Sequence, residues 1–175
     1  MQSVKLTLMQ QFSYYLFPIL MLGLGIIPFY YLIAGKTNHF FTSKTAGLLT
    51  MIFFISAVLS YFRQNKSLNF YSFSIDTNRQ QNLKIIRHIL KNHGWTIDKS
   101  DSNIIQAIGN GFRNNLDLRS WSELMTFEIS DKKIKVNSIC NPDGWIGQAF
   151  SFGKNRQNIR DFETLFLQES KSYYA

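Results

Sequence analysis

The chain has 175 residues, a single cysteine and a formal net charge of +8 at pH 7. Two uncharged apolar runs near its N-terminus, 12–34 and 45–62, exclude a small soluble protein, because no soluble chain of this length needs both. The lone Cys140 argues against a domain exported into an oxidising compartment, where cysteines are more often paired. The length after the two runs is sufficient for one compact domain.

The two apolar runs predict a transmembrane hairpin. They are 23 and 18 residues long, and an α-helix needs about 20 residues to cross a hydrocarbon core. A secretory signal peptide is the alternative for the first run, but this run exceeds the usual apolar region of about 7–15 residues and a second run follows it closely. We therefore expect residues 1–66 to form a transmembrane domain with spans at about 12–34 and 45–62.

Basic residues near the ends of the spans indicate the orientation. Four of them lie outside the hairpin and two lie between the spans: Lys5, Arg63, Lys66 and Arg79 against Lys36 and Lys44. The positive-inside rule then predicts that both termini are cytoplasmic. Neither span contains an ionisable residue, which argues against active transport. Small and weakly polar residues in the spans are compatible either with a pore in an oligomer or with ordinary helix packing.

Residues 67–175 predict a cytoplasmic domain that begins with a strand and a helix. Alternating aromatic and polar residues are typical of a half-buried strand over 69–75. Asp76 or Thr77 is predicted to cap the helix that follows, and Gly94 to end it. The apolar stripe of this helix is predicted to consist of Leu83, Ile86, Ile89 and Leu90.

Five further strands and a closing helix are predicted after Gly94. The strands are expected to begin at Trp95 and to cover 104–108, 121–129, 134–139 and 145–152. Asn155 or Asn158 is predicted to lie near the cap of the last helix. Its apolar face is predicted to consist of Ile159, Phe162, Leu165 and Phe166. This order predicts an α+β fold, in which a two-helix transmembrane hairpin precedes a small antiparallel sheet with two helices on one face.

The polar segment 109–121 has the residue types of a nucleotide-binding site. Its candidate ligand residues are Arg113, Asn114, Arg119 and Trp121. Arginine suits bidentate phosphate contacts, asparagine suits the edge of adenine, and an aromatic face suits base stacking. A solvated loop with Trp121 in the core is the alternative, and the sequence leaves both open.

The start of the closing helix is a second candidate site. Lys154, Asn155 and Arg156 stand where unpaired backbone amides at a helix N-terminus favour anions. A polar turn between strand and helix explains the same residues. The net charge is equally compatible with a dedicated anionic ligand and with attraction to anionic lipid headgroups.

Signs of catalysis or of a metal site are few. The three histidines have no Cys or Asp partner at metal-ligand spacing, and no serine stands in a nucleophile-elbow motif. Glu123 and Glu128 fall on opposite faces of their predicted strand, so they do not form a carboxylate pair. We therefore expect a non-catalytic protein without metal or cofactor, and we expect it to bind no duplex nucleic acid.

The layout of the whole chain resembles the two-span membrane effectors of bacterial antiviral signalling. It is most similar to the small membrane protein of type III CRISPR systems, whose C-terminal domain senses cyclic oligoadenylate. This resemblance implies an oligomer, with a tetramer favoured, that binds cyclic tetra-adenylate and then disturbs the bacterial inner membrane. The later segments are also similar to an uncharacterised bacterial membrane-anchored domain. The similarity rests on Ser-Trp-x-Glu at 120–123 and Gly-Lys-Asn-x-x-Asn-Ile at 153–159.

Three hypotheses for the function follow. In the favoured one, the soluble domain binds a cyclic oligonucleotide and relays the binding to the helices, which then disrupt the membrane or open a pore. In the second, the protein is a non-catalytic membrane subunit that docks a cytoplasmic protein partner. In the third, it is an enzyme that acts on a lipid or a nucleotide.

Overall fold

The computed structural model describes residues 3–35, 42–109, 122–143 and 154–172. These residues form five helices, α1 Leu8–Tyr14, α2 Leu16–Ile33, α3 Ser43–Ser67, α4 Arg79–Asn92 and α5 Lys154–Ser172. They also form five strands, β1 Tyr71–Ser74, β2 Thr96–Ser100, β3 Ile104–Gly109, β4 Glu123–Ser130 and β5 Lys133–Cys140. The chain divides into two compact units, an apolar unit of Thr7–Lys66 and a sheet unit of Met1–Leu6 with Ser67–Ala175.

The apolar unit contains two helices, α2 and α3, that are long and apolar enough to cross a membrane by length and composition. Most of their large apolar side chains are exposed, and a surface of this kind suits a lipid environment. The first predicted span is divided, because a turn at Tyr15 separates α1 from α2. Pro18 explains the division: it has no backbone N–H, and its ring is incompatible with a helical carbonyl four residues earlier, at Tyr14.

Helices α2 and α3 pack against each other in antiparallel directions. Ring centroids lie 5.4 Å apart for Tyr15 and Tyr61 at one end, and 6.3 Å apart for Phe29 and Phe54 towards the other. Gly25 permits close approach, since a Cβ atom there would lie 3.2 Å from the Cβ of Phe53. The predicted helical hairpin is therefore confirmed.

The sheet unit contains one five-stranded antiparallel sheet in the order β1-β5-β4-β3-β2. Helix α4 connects the two edge strands, β1 and β2, and the chain then returns through successive antiparallel neighbours to β5. This topology confirms the predicted α+β fold with an antiparallel sheet and two helices. The strand predicted over 145–152 lies outside the described residues.

The core of the sheet unit lies between the sheet and the two helices α4 and α5. Alternate residues of the strands face the helices, and Phe127 on β4 is in the middle, with its ring centroid 4.7 Å from that of Phe162 on α5. The stripe predicted for α4 is largely correct. Ile85 is fully buried although it was not predicted, and Leu83 is only half-buried. The predicted apolar face of α5 is confirmed, since Phe162 and Phe166 are buried and Ile159 and Leu165 pack beside them.

Asn78, not Asp76 or Thr77, caps α4. Its side-chain oxygen accepts a hydrogen bond from the backbone N–H of Gln81 at 2.9 Å, and the side chain of Gln81 accepts one from the backbone N–H of Asn78 at 3.3 Å. This reciprocal pair is a capping box, which satisfies two helix donors at once. At the other end the prediction is correct, since Gly94 follows the last turn with φ +72°, a conformation that favours glycine.

Two chain segments of the sheet unit, one on each side of the apolar unit in the sequence, pair with each other. The backbone N–H of Val4 donates to the carbonyl of Leu68 at 3.0 Å. The side-chain amide of Asn137 on β5 donates to the carbonyls of Ser67 and Asn69 at 2.7 and 2.8 Å. Both segments are therefore fastened at one place on the sheet unit.

Replacement of Gly109 by alanine is expected to destabilise the sheet unit. The new Cβ atom would overlap Cδ2 of the buried Trp95 indole, so the ring or the strand has to move, at a cost of about 1–3 kcal/mol. We expect a smaller cost for the same change in a Trp95→Leu background. Urea unfolding of the full chain in detergent, followed by circular dichroism, measures both costs, and equal costs would contradict the contact.

Candidate functional site

Three of the seven predicted ligand residues lie in the described part of the chain. Lys154, Asn155 and Arg156 form the first turn of α5, where both cations are exposed and Asn155 is half-buried. The other four predicted ligand residues lie outside the described residues: Arg113, Asn114, Arg119 and Trp121.

The first turn of α5 is electropositive. It contains no acidic residue, and the first carboxylate of the helix, Asp161, comes two turns later. The first backbone N–H groups of a helix have no partner within it, and the aligned peptide dipoles add a partial positive charge at this end. Lys154 and Arg156 add two full charges beside it. This arrangement favours an anionic ligand.

A buried polar cluster, Glu123, Ser138 and Asn158, lies beneath this turn and is called the Glu123 cluster below. The three residues retain 3%, 1% and 5% of their exposure. The Ser138 hydroxyl donates to Glu123 Oε2 at 3.4 Å, and Asn158 Nδ2 donates to the same oxygen and to Ser138 Oγ, the latter at 3.3 Å. The cluster thus joins β4, β5 and α5 through hydrogen bonds alone.

The position of Glu123 follows from the period of its strand. Alternate residues of β4 face the helices, and Glu123 occupies the same face as Met125, Phe127 and Ile129. Glu128 lies on the opposite face, as predicted, where it accepts from Lys135 at 3.1 Å. Glu123 is therefore a carboxyl group at the end of an otherwise apolar row.

Burial raises the pKa of Glu123 from 4.5 to about 7, against the opposing effects of the Lys154 ammonium and of the hydrogen bond from Ser138. Desolvation disfavours the charged form of a carboxyl group, whereas a nearby cation favours it. The folded protein therefore holds the proton of this group to a higher pH than an exposed glutamate would. The effect of Lys154 also shows that the cationic turn and the buried carboxyl group interact electrostatically.

Cys140 is buried beside the cluster and is the register partner of Glu123. Burial, followed by the charge of Glu123 as a smaller cause, raises the pKa of its thiol to about 11. A thiol is nucleophilic only as the thiolate. Cys140 therefore provides no reactive group at neutral pH.

The Glu123 cluster lies where the ends of β3, β4 and β5 come together, at one end of the sheet. Gly109 pairs with Glu123 and Glu123 pairs with Cys140, and the backbone N–H of Asn141 extends the ladder to Ser122 at 3.0 Å. Gly109 and Ser122, the described residues on either side of 110–121, therefore both lie beside the Glu123 cluster. The start of α5 lies there as well, because Asn158 contacts Glu123. Gly109, Ser122 and the start of α5 thus lie at the same end of the sheet.

Sequence reasoning did not find the contact between Glu123 and Asn158. Asn158 was a candidate cap for α5, but it lies in the second turn and its side chain is buried against β4 and β5. The only sequence signal was the pair of short motifs at 120–123 and 153–159, which contain these two residues. The structure places Glu123 and Asn158 in direct contact.

Comparisons of this chain with protein-family models, with curated proteins and with solved structures find no match. The function therefore has to be argued from the site itself.

The Glu123 cluster is expected to make the stability of the protein depend on pH. The folded state keeps the proton of Glu123 up to about pH 7, whereas the unfolded chain loses it near pH 4.5. The stabilisation is complete below pH 4.5 and declines by roughly 3 kcal/mol as the pH rises to 7. Glu123→Gln should abolish this decline, since the amide does not ionise.

Chemical unfolding of the full chain in detergent at about pH 5 and pH 8 measures this difference. Glu169→Gln is the control, because it removes a carboxylate from α5 outside the Glu123 cluster. A Glu123→Gln variant with the same pH profile as the parent protein would refute the assignment.

Cys140 is expected to react with maleimide or iodoacetamide only when the protein unfolds. Its thiol is both buried and protonated at neutral pH, so labelling of the folded chain should be much slower than labelling in denaturant. Mass spectrometry after timed labelling measures both rates. Similar rates would show that the cluster is open to solvent.

Proposed function

We propose that this protein is a membrane-anchored sensor and effector whose sheet unit binds a cyclic oligoadenylate, with cyclic tetra-adenylate favoured, and signals to the membrane helices. In this proposal the chain resides in a bacterial inner membrane with both termini in the cytoplasm, as part of antiphage defence. Binding triggers membrane disruption or pore opening without turnover of the ligand. The two candidate membrane-spanning helices and the α+β sheet unit supply the parts that such a protein requires.

The observation that carries the proposal is the electropositive first turn of α5, held by the Glu123 cluster at the end of the sheet. Lys154 and Arg156 are exposed there, so they are accessible to a phosphate group. A helix N-terminus with adjacent cations supplies both backbone donors and charge to phosphate. Since the cluster fixes α5 to β4 and β5, these cations are held by the folded sheet unit.

The residues proposed to complete the site belong to the segment between Gly109 and Ser122, two residues that lie beside the Glu123 cluster. Arg113 and Arg119 would bind phosphate, Asn114 would contact the edge of adenine, and Trp121 would stack on a base. A cyclic oligonucleotide presents phosphates and bases around a ring. Symmetry-related copies of the same residues in a homo-oligomer, with a tetramer favoured, would therefore surround a single ligand.

Titration of the full chain in lipid nanodiscs with cyclic tetra-adenylate tests the proposal. Linear oligoadenylate and inorganic phosphate are the control ligands. We expect binding that depends on ring size, and a loss of at least about tenfold in affinity for Lys154→Glu, because a charged hydrogen bond contributes roughly 1.5–3 kcal/mol. Lys171→Glu, at the other end of α5, is the matched control and should bind normally.

Two results would contradict the proposal. Unchanged affinity in both Arg113→Glu and Lys154→Glu would refute the assigned site. An absence of binding by a folded, assembled protein would favour the docking subunit instead. If binding is seen, release of a dye from vesicles on addition of the ligand tests the effect on the membrane.

A further inference from the structure

Helix α4 has an exposed row of basic residues, Lys84, Arg87, His88 and Lys91, called the basic stripe below. Residues three and four positions apart lie on one face of a helix, and all four side chains are exposed. The opposite face of α4 is buried in the core through Ile85, Ile86, Ile89 and Leu90. The stripe is therefore held on the surface of the sheet unit by the packing beneath it.

No carboxylate of the described residues forms an ion pair with Lys84, Arg87 or Lys91, and α4 contains no acidic residue. Arg87 donates to the Ser100 hydroxyl at 2.9 Å, and His88 hydrogen-bonds to Asn92 at 2.9 Å, so both of these partners are uncharged. Helix α5 differs, because it carries Asp161, Glu163 and Glu169 as well as basic residues. The charge of α4 is thus concentrated and of one sign.

We propose that the basic stripe binds the anionic headgroups of a lipid bilayer. The stripe extends over two turns, about 10 Å along the helix, so it presents a row of charges and not a single pocket. A row of this kind matches a surface with many negative charges, and each Lys or Arg near an anionic leaflet increases binding about fivefold.

The composition of α4 favours lipid over single-stranded nucleic acid. Sites for single strands combine basic residues with aromatic side chains that stack on the bases. Helix α4 has no aromatic residue of the Phe, Tyr or Trp type. The bilayer is also within reach of a tethered domain, since α3 ends at Ser67 and β1 begins at Tyr71. The proposal rests on the membrane anchoring proposed above.

The experiment uses the full chain in nanodiscs with a fluorophore on Gln80→Cys, an exposed position one turn before Lys84. Quenching by lipids that carry a quencher near the headgroup reports contact between α4 and the bilayer. The nanodiscs contain either phosphatidylcholine alone or phosphatidylcholine mixed with phosphatidylglycerol. Protein without the introduced cysteine gives the background, because Cys140 is buried.

We expect quenching in the anionic nanodiscs, little in the neutral ones, and a decrease as salt is added. The double variant Lys84→Glu and Lys91→Glu should lower the ratio of bound to free domain by at least about 25-fold. The matched control is Lys133→Glu with Lys171→Glu, which changes the net charge equally at exposed positions on other elements. The control should behave as the parent protein does.

Equal quenching in neutral and anionic nanodiscs would overturn the proposal. An equal decrease in quenching in the two double variants would overturn it as well. Binding of labelled single-stranded RNA through Lys84 and Lys91, without quenching by lipid, would assign the stripe to nucleic acid instead. Failure of the chain to enter nanodiscs at all would refute the membrane anchoring itself, and is recognised before any quenching is measured.

Discussion

The contact between Glu123 and Asn158 holds the start of α5 at the end of the sheet. A carboxyl group removed from water has to keep its proton or find hydrogen-bond donors, because an unpaired buried charge costs several kcal/mol. Glu123 does both, since its pKa is near neutrality and two side chains donate to it. Asn158 therefore lies over the start of β4, and its hydrogen bonds hold the first turns of α5 there, beside the apolar packing of Phe162. Lys154 and Arg156 then lie at the end of the sheet as a consequence.

The sheet unit therefore has two basic surfaces of different character. The start of α5 combines two cations with the positive end of the helix dipole, an arrangement suited to a compact anion. The basic stripe of α4 has side-chain charge only, distributed along a helix. A protein that senses a soluble anion beside a charged membrane needs separate surfaces for the anion and for lipid. On a single shared surface, lipid headgroups would compete with the soluble anion. The two helices divide the tasks in that way under the functions proposed here.

Local features of the fold could be predicted from the sequence, whereas specific polar contacts could not. Alternation in 69–75, and the spacing of Ile159, Phe162 and Phe166, predicted elements that the structure confirms. The prediction of the α4 cap was wrong because three consecutive polar residues, 76–78, can each cap a helix. Only the backbone conformation selects Asn78. The Glu123 cluster could not be predicted from the sequence for a different reason. Its members are separated by up to 35 positions, and residue type alone does not report which polar side chains meet.

The backbone hydrogen bond between Val4 and Leu68 has a consequence for the entropy of the chain. It closes the intervening residues, which include both candidate membrane helices, into a loop whose ends are held together by the sheet unit. The entropic cost of closing such a loop increases only slowly with its length, so a long loop costs little more to close than a short one. The two helices then pair as partners within a closed loop, at a high effective concentration, and not as two independent segments. Asn137, whose side-chain amide donates to the carbonyls of Ser67 and Asn69, holds one end of this loop on β5.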